Sequence, residues 1–369
     1  MNDKRDIDTL VVGGGVVGMA LAYGLAKAGE RVRLLDEGDD AYRAARGNFG
    51  LVWVQGKGVS NPDYARWSMA AAASWPEFAQ ELQELTGVDV ELSQAGGLTI
   101  CLDEEEIQRR VENLESLRQS VGNHYRYSVL DAKAVRELSP YAGPQVVGGL
   151  FCPFSGHASP LRLLQALVRG FQGLGGQLVS GASCERIEHR ADGFHAWAAG
   201  VEHVAARVVL AAGLGNRTLA PMVGLKAPVQ PNRGQILVTE RVEPFLRHAS
   251  QHVRQTGEGV VQIGDSHEDV GLDEGTTVNQ LARIADRARR YFPILENVNV
   301  VRSWGALRVM TPDGYPIYQA SRECPGAFVV TCHSGITLAS MHASALVAWM
   351  RGGPEPVDIF TFKAERFDV

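Results

Sequence analysis

The sequence predicts an α/β chain, α+β overall, made of two interwoven domains. Three observations predict it. An apolar run near the start, Thr9–Val12, leads through a glycine turn into a helical pattern; strand-like runs crowd residues 229–265; and a late strand, Ala327–Thr331, again runs through a turn into a helix. The 369 residues exceed the usual single core, and a 45% hydrophobic content supplies enough apolar surface for two.

The first unit reads strand, turn, helix, strand: Thr9–Val12, Gly13–Gly18, a helical pattern through Ala28 that stops at Gly29, then Arg31 to Asp36. Each glycine has a job. Gly13 suits a tight turn, Gly15 lets the backbone approach a pyrophosphate, and Gly18 lets helix lie against strand. Val16 and Val17 open the helix, where free N–H groups face an anion. Asp36, closing the next strand, can bind ribose hydroxyls, and Glu37 beside it could exchange roles with it or stay solvated. This is a Rossmann-like dinucleotide site. The turn alone does not separate FAD from NAD. More than 300 further residues, with Arg207–Gly213 forming another strand that ends in the small residues Ala212 and Gly213, favour FAD.

Farther along, Glu105–Gln119 reads as an exposed charged helix. Pro160–Gly170 reads as an amphipathic helix packed by Leu161, Leu163, Leu164 and Leu167, with His157 in the turn that starts it. The runs Gln235–Thr239 and Val260–Gly264 are the strands of a mostly antiparallel sheet. The last helix spans about Ile336–Met350 and stops at Gly352-Gly353-Pro354.

Charge and cysteine usage exclude several function classes. The net charge of −6 comes from 42 acidic and 36 basic residues mixed along the chain, so no basic face points to nucleic acid or an anionic membrane. Five cysteines form no CxxC pair, and their odd number argues against a disulfide framework. Reduced thiols fit a cytoplasmic protein. The opening Met1–Asp6 lacks the apolar stretch of a secretory signal and no later run reaches transmembrane length, which leaves peripheral membrane attachment through a partner open. His248 and His252 mimic two metal ligands one helical turn apart, but the region reads as strand and lacks an acidic partner, so no metal is expected.

With these pieces in order, the chain resembles the D-amino acid oxidase-like FAD oxidoreductases, a family that includes glycine oxidase, sarcosine oxidase and D-amino acid dehydrogenases. The segments carrying the resemblance are Gly13–Gly18 with Asp36, Pro231–Gln235, Trp304–Arg308 with Thr311–Gly314, and Ser334–Ala339. Arg46–Leu51 and Val52–Gly58 resemble the branch of hydrogen cyanide synthase, opine oxidase and hydroxyproline dehydrogenase flavin subunits. The resemblance implies an FAD domain assembled from residues 1–85, 145–225 and 305–369. Residues 86–144 and 226–304 would form a substrate domain whose sheet roofs the flavin.

It also implies residue roles. Arg308 matches the arginine that binds a substrate carboxylate, a job suited to a planar guanidinium, with an interdomain salt bridge as the alternative. His252 and Arg254 alternate along an expected strand, so both would face one side of the roof, where either could touch substrate. Gly335, Ile336, Thr337 and Leu338 open a helix whose N–H groups could stabilise negative charge on the reduced flavin. His333, just before them, lines the pocket or is structural. Arg46, Gly47, Asn48, Gly50 and Leu51 would pass along the flavin, with the glycines allowing close backbone approach. The stretch Trp304–Thr311 has no cysteine, so the FAD would be noncovalent.

The reaction implied is oxidation of a small carboxylated amine, with dioxygen or a partner protein taking the electrons and a homo-oligomer or a complex with other dehydrogenase subunits as the assembly. Two rivals remain: a flavin monooxygenase, because Gly264-Asp265 imitates its late flavin motif, and a non-catalytic relay subunit.

Overall fold

The computed structural model describes residues 7–38, 44–356 and 359–368; the expectation for Met1–Asp6 lies outside them. A six-stranded sheet runs in the order Ile317–Ala320, Ala327–Thr331, Arg207–Leu210, Thr9–Val12, Val32–Leu35, Gln177–Val179. Every neighbouring pair is parallel except the edge strand Ile317–Ala320. Thr9–Val12 is buried at every position, which is why it reads as a continuous apolar run instead of an alternating one.

Register places the site. Val12 stands opposite both Leu35 and Leu210, so Gly13, Asp36 and Ala211–Gly213 leave the sheet at one level, along its carboxyl edge. Such edges are where open parallel sheets bind ligands. Gly13 has φ +108°, and a Cβ on Gly18 would lie 1.8 Å from the carbonyl oxygen of Gly13. Only glycine lets the helix Val16–Lys27 sit this close to its strand.

Helix Pro160–Gly173 packs beside it through buried Leu163 and Leu167, worth roughly 1.5–3 kcal/mol each. Leu161, expected to pack there, is 59% exposed because it falls on the solvent face with Gln165 and Arg169, while Pro160 and Leu163 of the same turn are buried. The three-stranded antiparallel unit Cys184–Arg190, Gly193–Ala198, Val201–Ala205 was not anticipated.

The roof is antiparallel. Gln230–Arg241 pairs with Val300–Met310 and with Val260–Gly264, and Val253–Gln255 adds an edge. Helix Val278–Tyr291 covers one face, packing Ile284, Ala288 and Tyr291 into a core with Leu237, Val253, Val261 and Ile263. A second four-stranded sheet runs Ala249–Ser250, Gly97–Cys101, Gly148–Cys152, Ser128–Asp131. Because Gly148–Cys152 pairs with Gly97–Cys101 on one side and Ser128–Asp131 on the other, we propose that the cofactor-side segment expected from residue 145 begins after Cys152.

The terminal helix is interrupted: Gly335–Met341 is α-helical, His342–Leu346 is a π-turn, and Val347–Met350 resumes the α-helix. No helix among the described residues is long and apolar enough to cross a membrane.

Candidate functional site

A cleft of about 830 Å³ follows the carboxyl edge of the parallel sheet and continues under the roof. That volume lies near the top of the range for small-molecule sites, roughly 300–1,000 Å³. Of the residues expected at a cofactor, Gly13, Gly15, Val16, Val17, Asp36, Glu37, Arg46, Asn48, Ala212, Gly213, Gly335 and Ile336 line it, as does His333.

At the glycine end the walls are backbone. The N–H of Gly13 donates to the carbonyl of Leu35, and that of Ala211 to the carbonyl of Val12, both at 2.8 Å, locking three strand ends together. Asn216 holds the turn after the third strand by accepting from the N–H of Ala212 at 2.9 Å. The carboxylate of Asp36 accepts from the N–H groups of Gly14 at 2.7 Å and Gly38 at 3.1 Å, which fixes it over the turn. A Cβ on Gly15 would meet nothing nearer than Ala45 at 3.9 Å, so the space above it is open to a ligand. Helix Val16–Lys27 has no side-chain N-cap, leaving its first N–H groups for that ligand. A dinucleotide pyrophosphate fits this cradle.

At the far end, the cleft passes between the loop at Arg46 and Asn48, the strand residues Leu307 and Val309, and Val330–Ile336. Helix Gly335–Met341 also lacks a side-chain cap. Other expected residues support this wall from behind. Thr337 donates to the carbonyl of Leu51 at 3.2 Å and accepts from the N–H of Trp53 at 3.1 Å, while Leu338 is core. Gly47 accepts from the Trp304 indole at 3.3 Å. A Cβ on Gly50, φ +92°, would lie 2.4 Å from the carbonyl oxygen of Ala158, so this close packing requires glycine.

Arg254 and His252 do not share a face as expected. The strand begins only at Val253, after a turn in which Ser250 Oγ accepts from the N–H of Val253 at 2.9 Å, so alternation fails at His252. His252 stacks on Tyr291 of the covering helix, with ring centroids 6.1 Å apart. Arg254 points the other way: Nη1 donates to the carbonyl of Phe49 at 3.0 Å and Gln262 Oε1 at 2.9 Å, and Nε donates to His157 Nδ1 at 3.0 Å. It holds the loop at Phe49 to the roof. Burial lowers its pKa to about 10 and, with the Arg254 charge adding, that of His157 to about 3. His157 itself lies in a two-residue strand paired with Leu51–Val52, not in a helix-starting turn.

Arg308 lies between Leu307 and Val309 on the roof strand, its side chain 17% exposed. It donates to Asp265 Oδ2 at 2.6 Å, the carbonyl of Ser266 at 2.8 Å and Asn232 Oδ1 at 3.1 Å. Burial alone would raise the Asp265 carboxyl. The nearby imidazoles of His252 and His267 and the charge of Arg308 outweigh this and hold it well below the ordinary carboxylate range. Burial, reinforced by Lys57 and Arg308, pushes His333 down to about 3, so it is neutral at physiological pH.

Sequence reading missed Asp265 as a partner of Arg308; it also quoted Lys57 only within a motif. The Lys57 ammonium bonds Ser334 Oγ and lies 3.3 Å from the Tyr64 hydroxyl, beside the start of helix Gly335–Met341. The bracketing glycines Gly56 and Gly58, with φ +77° and +79°, are the local signal that this lysine is presented by a shaped loop. Among the described residues no three His, Cys, Asp or Glu side chains are grouped to hold a metal.

Comparison with known proteins identifies the family and the fold. The family described as "FAD dependent oxidoreductase" (DAO) matches residues 8–349. The chain is 43% identical over 365 residues to an opine oxidase subunit from Rhizobium meliloti, covering 99% of this chain and 98% of that one. It is 26% identical to hydrogen cyanide synthase subunit HcnC from Pseudomonas aeruginosa, covering 99% and 97%. The crystal structure of glycine oxidase from Geobacillus kaustophilus shares the fold with a TM-score of 0.90 at 24% identity, covering 97% of this chain and 98% of that one.

Proposed function

The chain belongs to the FAD dependent oxidoreductase family DAO, and we propose that it oxidises the C–N bond of a small amine that carries a carboxylate. The substrate class comprises secondary amines such as N-substituted glycines, imino acids and D-amino acids. The observation that carries this reading is Arg308, a buried guanidinium on the roof strand that does not itself line the cleft but whose charge acts on His333, which does. Identity of 43% to a protein named as part of an opine oxidase favours a secondary amine.

FAD bound in this cleft would supply the acceptor for a hydride from the carbon bearing the nitrogen, leaving an imine that water hydrolyses. The chain's own residues supply position and field. The N–H groups opening helix Val16–Lys27 hold the pyrophosphate, and Asp36, with Glu37 beside it, takes the ribose. The N–H groups that open helix Gly335–Met341, at Gly335 and Ile336 on the cleft wall, would stabilise negative charge on a bound flavin. Arg46 and Asn48, which line the cleft on a loop fixed through Gly47, Gly50 and Leu51, would hold the flavin's side of the cofactor. Arg308 grips the substrate carboxylate and thereby aims the C–H bond, a form of catalysis by positioning. His333, held neutral, serves as a wall and not as an acid. Cys332 lines the cleft, but burial pushes its thiol up to about 12, which supports noncovalent FAD.

Electrons then leave to dioxygen or to a partner protein; the word "subunit" in two relatives' names supports a hetero-oligomer. The test is anaerobic bleaching of the purified protein's flavin by glycine, sarcosine, iminodiacetate, D-alanine and D-proline. At least one bleaches it without any partner, and Arg308→Ala raises the half-saturating concentration by about 100-fold, the roughly 3 kcal/mol of a charge-assisted bidentate contact. Bleaching by none would overturn the amine assignment and leave a relay subunit.

A further inference from the structure

Arg308 does not wait in the roof as a lone cation. Its shortest hydrogen bond, 2.6 Å, goes to Asp265 Oδ2, and both side chains are largely buried, at 17% and 26% exposure. The carboxylate has two further neighbours, His252 Nδ1 at 3.5 Å from Oδ1 and His267 Nε2 at 3.4 Å from Oδ2. The next acid along, Glu268, is committed elsewhere, accepting from Arg233, Gln235 and Ser266. Asp265 is therefore the anion that neutralises Arg308 in the resting protein.

This pairing changes what Arg308 can bind. A ligand offering only a carboxylate would either share the guanidinium with a second carboxylate or displace Asp265 and strand it, buried and unpaired. Breaking a buried pair from one side is the costly way to break it. A zwitterion avoids that cost. Its carboxylate replaces Asp265 on Arg308 while its ammonium nitrogen gives Asp265 a new cation, so charge is conserved on both sides of the exchange.

We propose that Asp265 is a specificity-determining residue that recognises the protonated nitrogen of the substrate, so that Arg308 and Asp265 together select a carboxylate with an adjacent ammonium and reject a carboxylate without one. The proposal rests on the reading above that Arg308 takes the substrate carboxylate. Recognition precedes chemistry: the ammonium proton leaves to solvent, past the exposed His267, before the C–H bond gives up its electron pair as hydride.

The experiment compares amines with their methylene isosteres, sarcosine with butyrate and iminodiacetate with glutarate, on flavin-loaded wild-type, Asp265→Asn and Arg308→Ala proteins. Binding is read from perturbation of the flavin absorbance, or from half-saturation of anaerobic bleaching where the amine reduces it. In the wild type, the amine binds at least tenfold more tightly than its isostere. Asp265→Asn moves the two in opposite directions, weakening the amine and tightening the isostere, each by about tenfold, because the freed guanidinium no longer has a competing anion. A purely structural role for Asp265 would shift both ligands the same way, and that result overturns the proposal. So does equal affinity for amine and isostere in the wild type, a measurement that stands even if the variant fails to retain flavin. Arg308→Ala separates the two ideas. If it leaves both ligands unaffected, the carboxylate reading itself fails; if it weakens both while Asp265→Asn moves them together, only the role of Asp265 is lost.

Discussion

The two ends of the cleft are built by opposite means. Around Gly13–Gly18 the site is made by leaving atoms out: three strand ends in register, helix N–H groups without a cap, and glycines whose missing Cβ atoms define the space. Under the roof it is made by putting charge in: Arg308 with Asp265, Arg254 with the carbonyl of Phe49, Lys57 at Ser334. The first end is governed by excluded volume and the second by electrostatics. Substitutions should therefore fail differently, sharply with size at one end and with charge and hydrogen bonding at the other.

The largest expected effect is at the glycine end. Gly18→Ala puts a methyl group where the carbonyl oxygen of Gly13 stands 1.8 Å away, so helix and strand must part. A loss of about 3 kcal/mol or more and a protein purified without flavin are expected, as read by denaturation midpoint and absorbance. A yellow variant with the wild-type midpoint would erase the contrast.

Arg254→Met is next. It keeps much of the volume but removes the hydrogen bonds to Phe49, Gln262 and His157, for an expected cost of about 1.5–3 kcal/mol. Faster flavin loss should accompany it, since the loop it holds carries Asn48. An unchanged midpoint would mean that packing, not the bonds, fixes this loop.

Acid should sharpen the comparison. His157, His333 and His342 are each pushed down to about 3 by burial, against about 6.5 in the unfolded chain. Between those values the unfolded chain takes up protons that the folded one refuses, so stability falls as pH drops from 6.5 toward 3. Each buried imidazole contributes on the order of 1.4 kcal/mol per pH unit. Urea midpoints measured from pH 7 to pH 5 check the sign, and a flat profile would contradict it.

The smallest effect returns to the glycine turn. Gly15→Ala has room within the protein, its nearest contact being Ala45 at 3.9 Å, so apoprotein stability stays within about 0.5 kcal/mol. The methyl occupies ligand space instead, and FAD affinity should fall about tenfold, or 1.4 kcal/mol, by fluorescence titration. Loss of apoprotein stability with unchanged affinity would show that this glycine serves the fold.

The same contrast explains what could be read from the sequence. Residues 9–36 were legible because strand, turn and helix are contiguous and each glycine answers a local backbone demand. The strand Ala327–Thr331 and the helix after it were legible for the same reason. Asp265 was not: its partner lies 43 residues away, and the local pattern Gly264-Asp265 suggested a cofactor motif. Alternation put His252 and Arg254 on one face, and a turn at Ser250 decided otherwise. Leu161 sits among the leucines of its helix in sequence, yet it turns to the solvent face with Gln165 and Arg169. Where function depends on which side chain meets which across the fold, periodicity carries no information about it.

The order of the parallel sheet has a consequence for biogenesis. Its second-to-last strand in space, Ala327–Thr331, is the last of the six in the chain, and it pairs with Arg207–Leu210. A nascent polypeptide that has emerged as far as the roof strand Val300–Met310 already carries every glycine of the turn, but not the wall from Val330 to Ile336 that closes the cleft. A complete cleft therefore awaits synthesis of residues 330–336, and a ribosome stalled before them leaves the glycine turn without its facing wall.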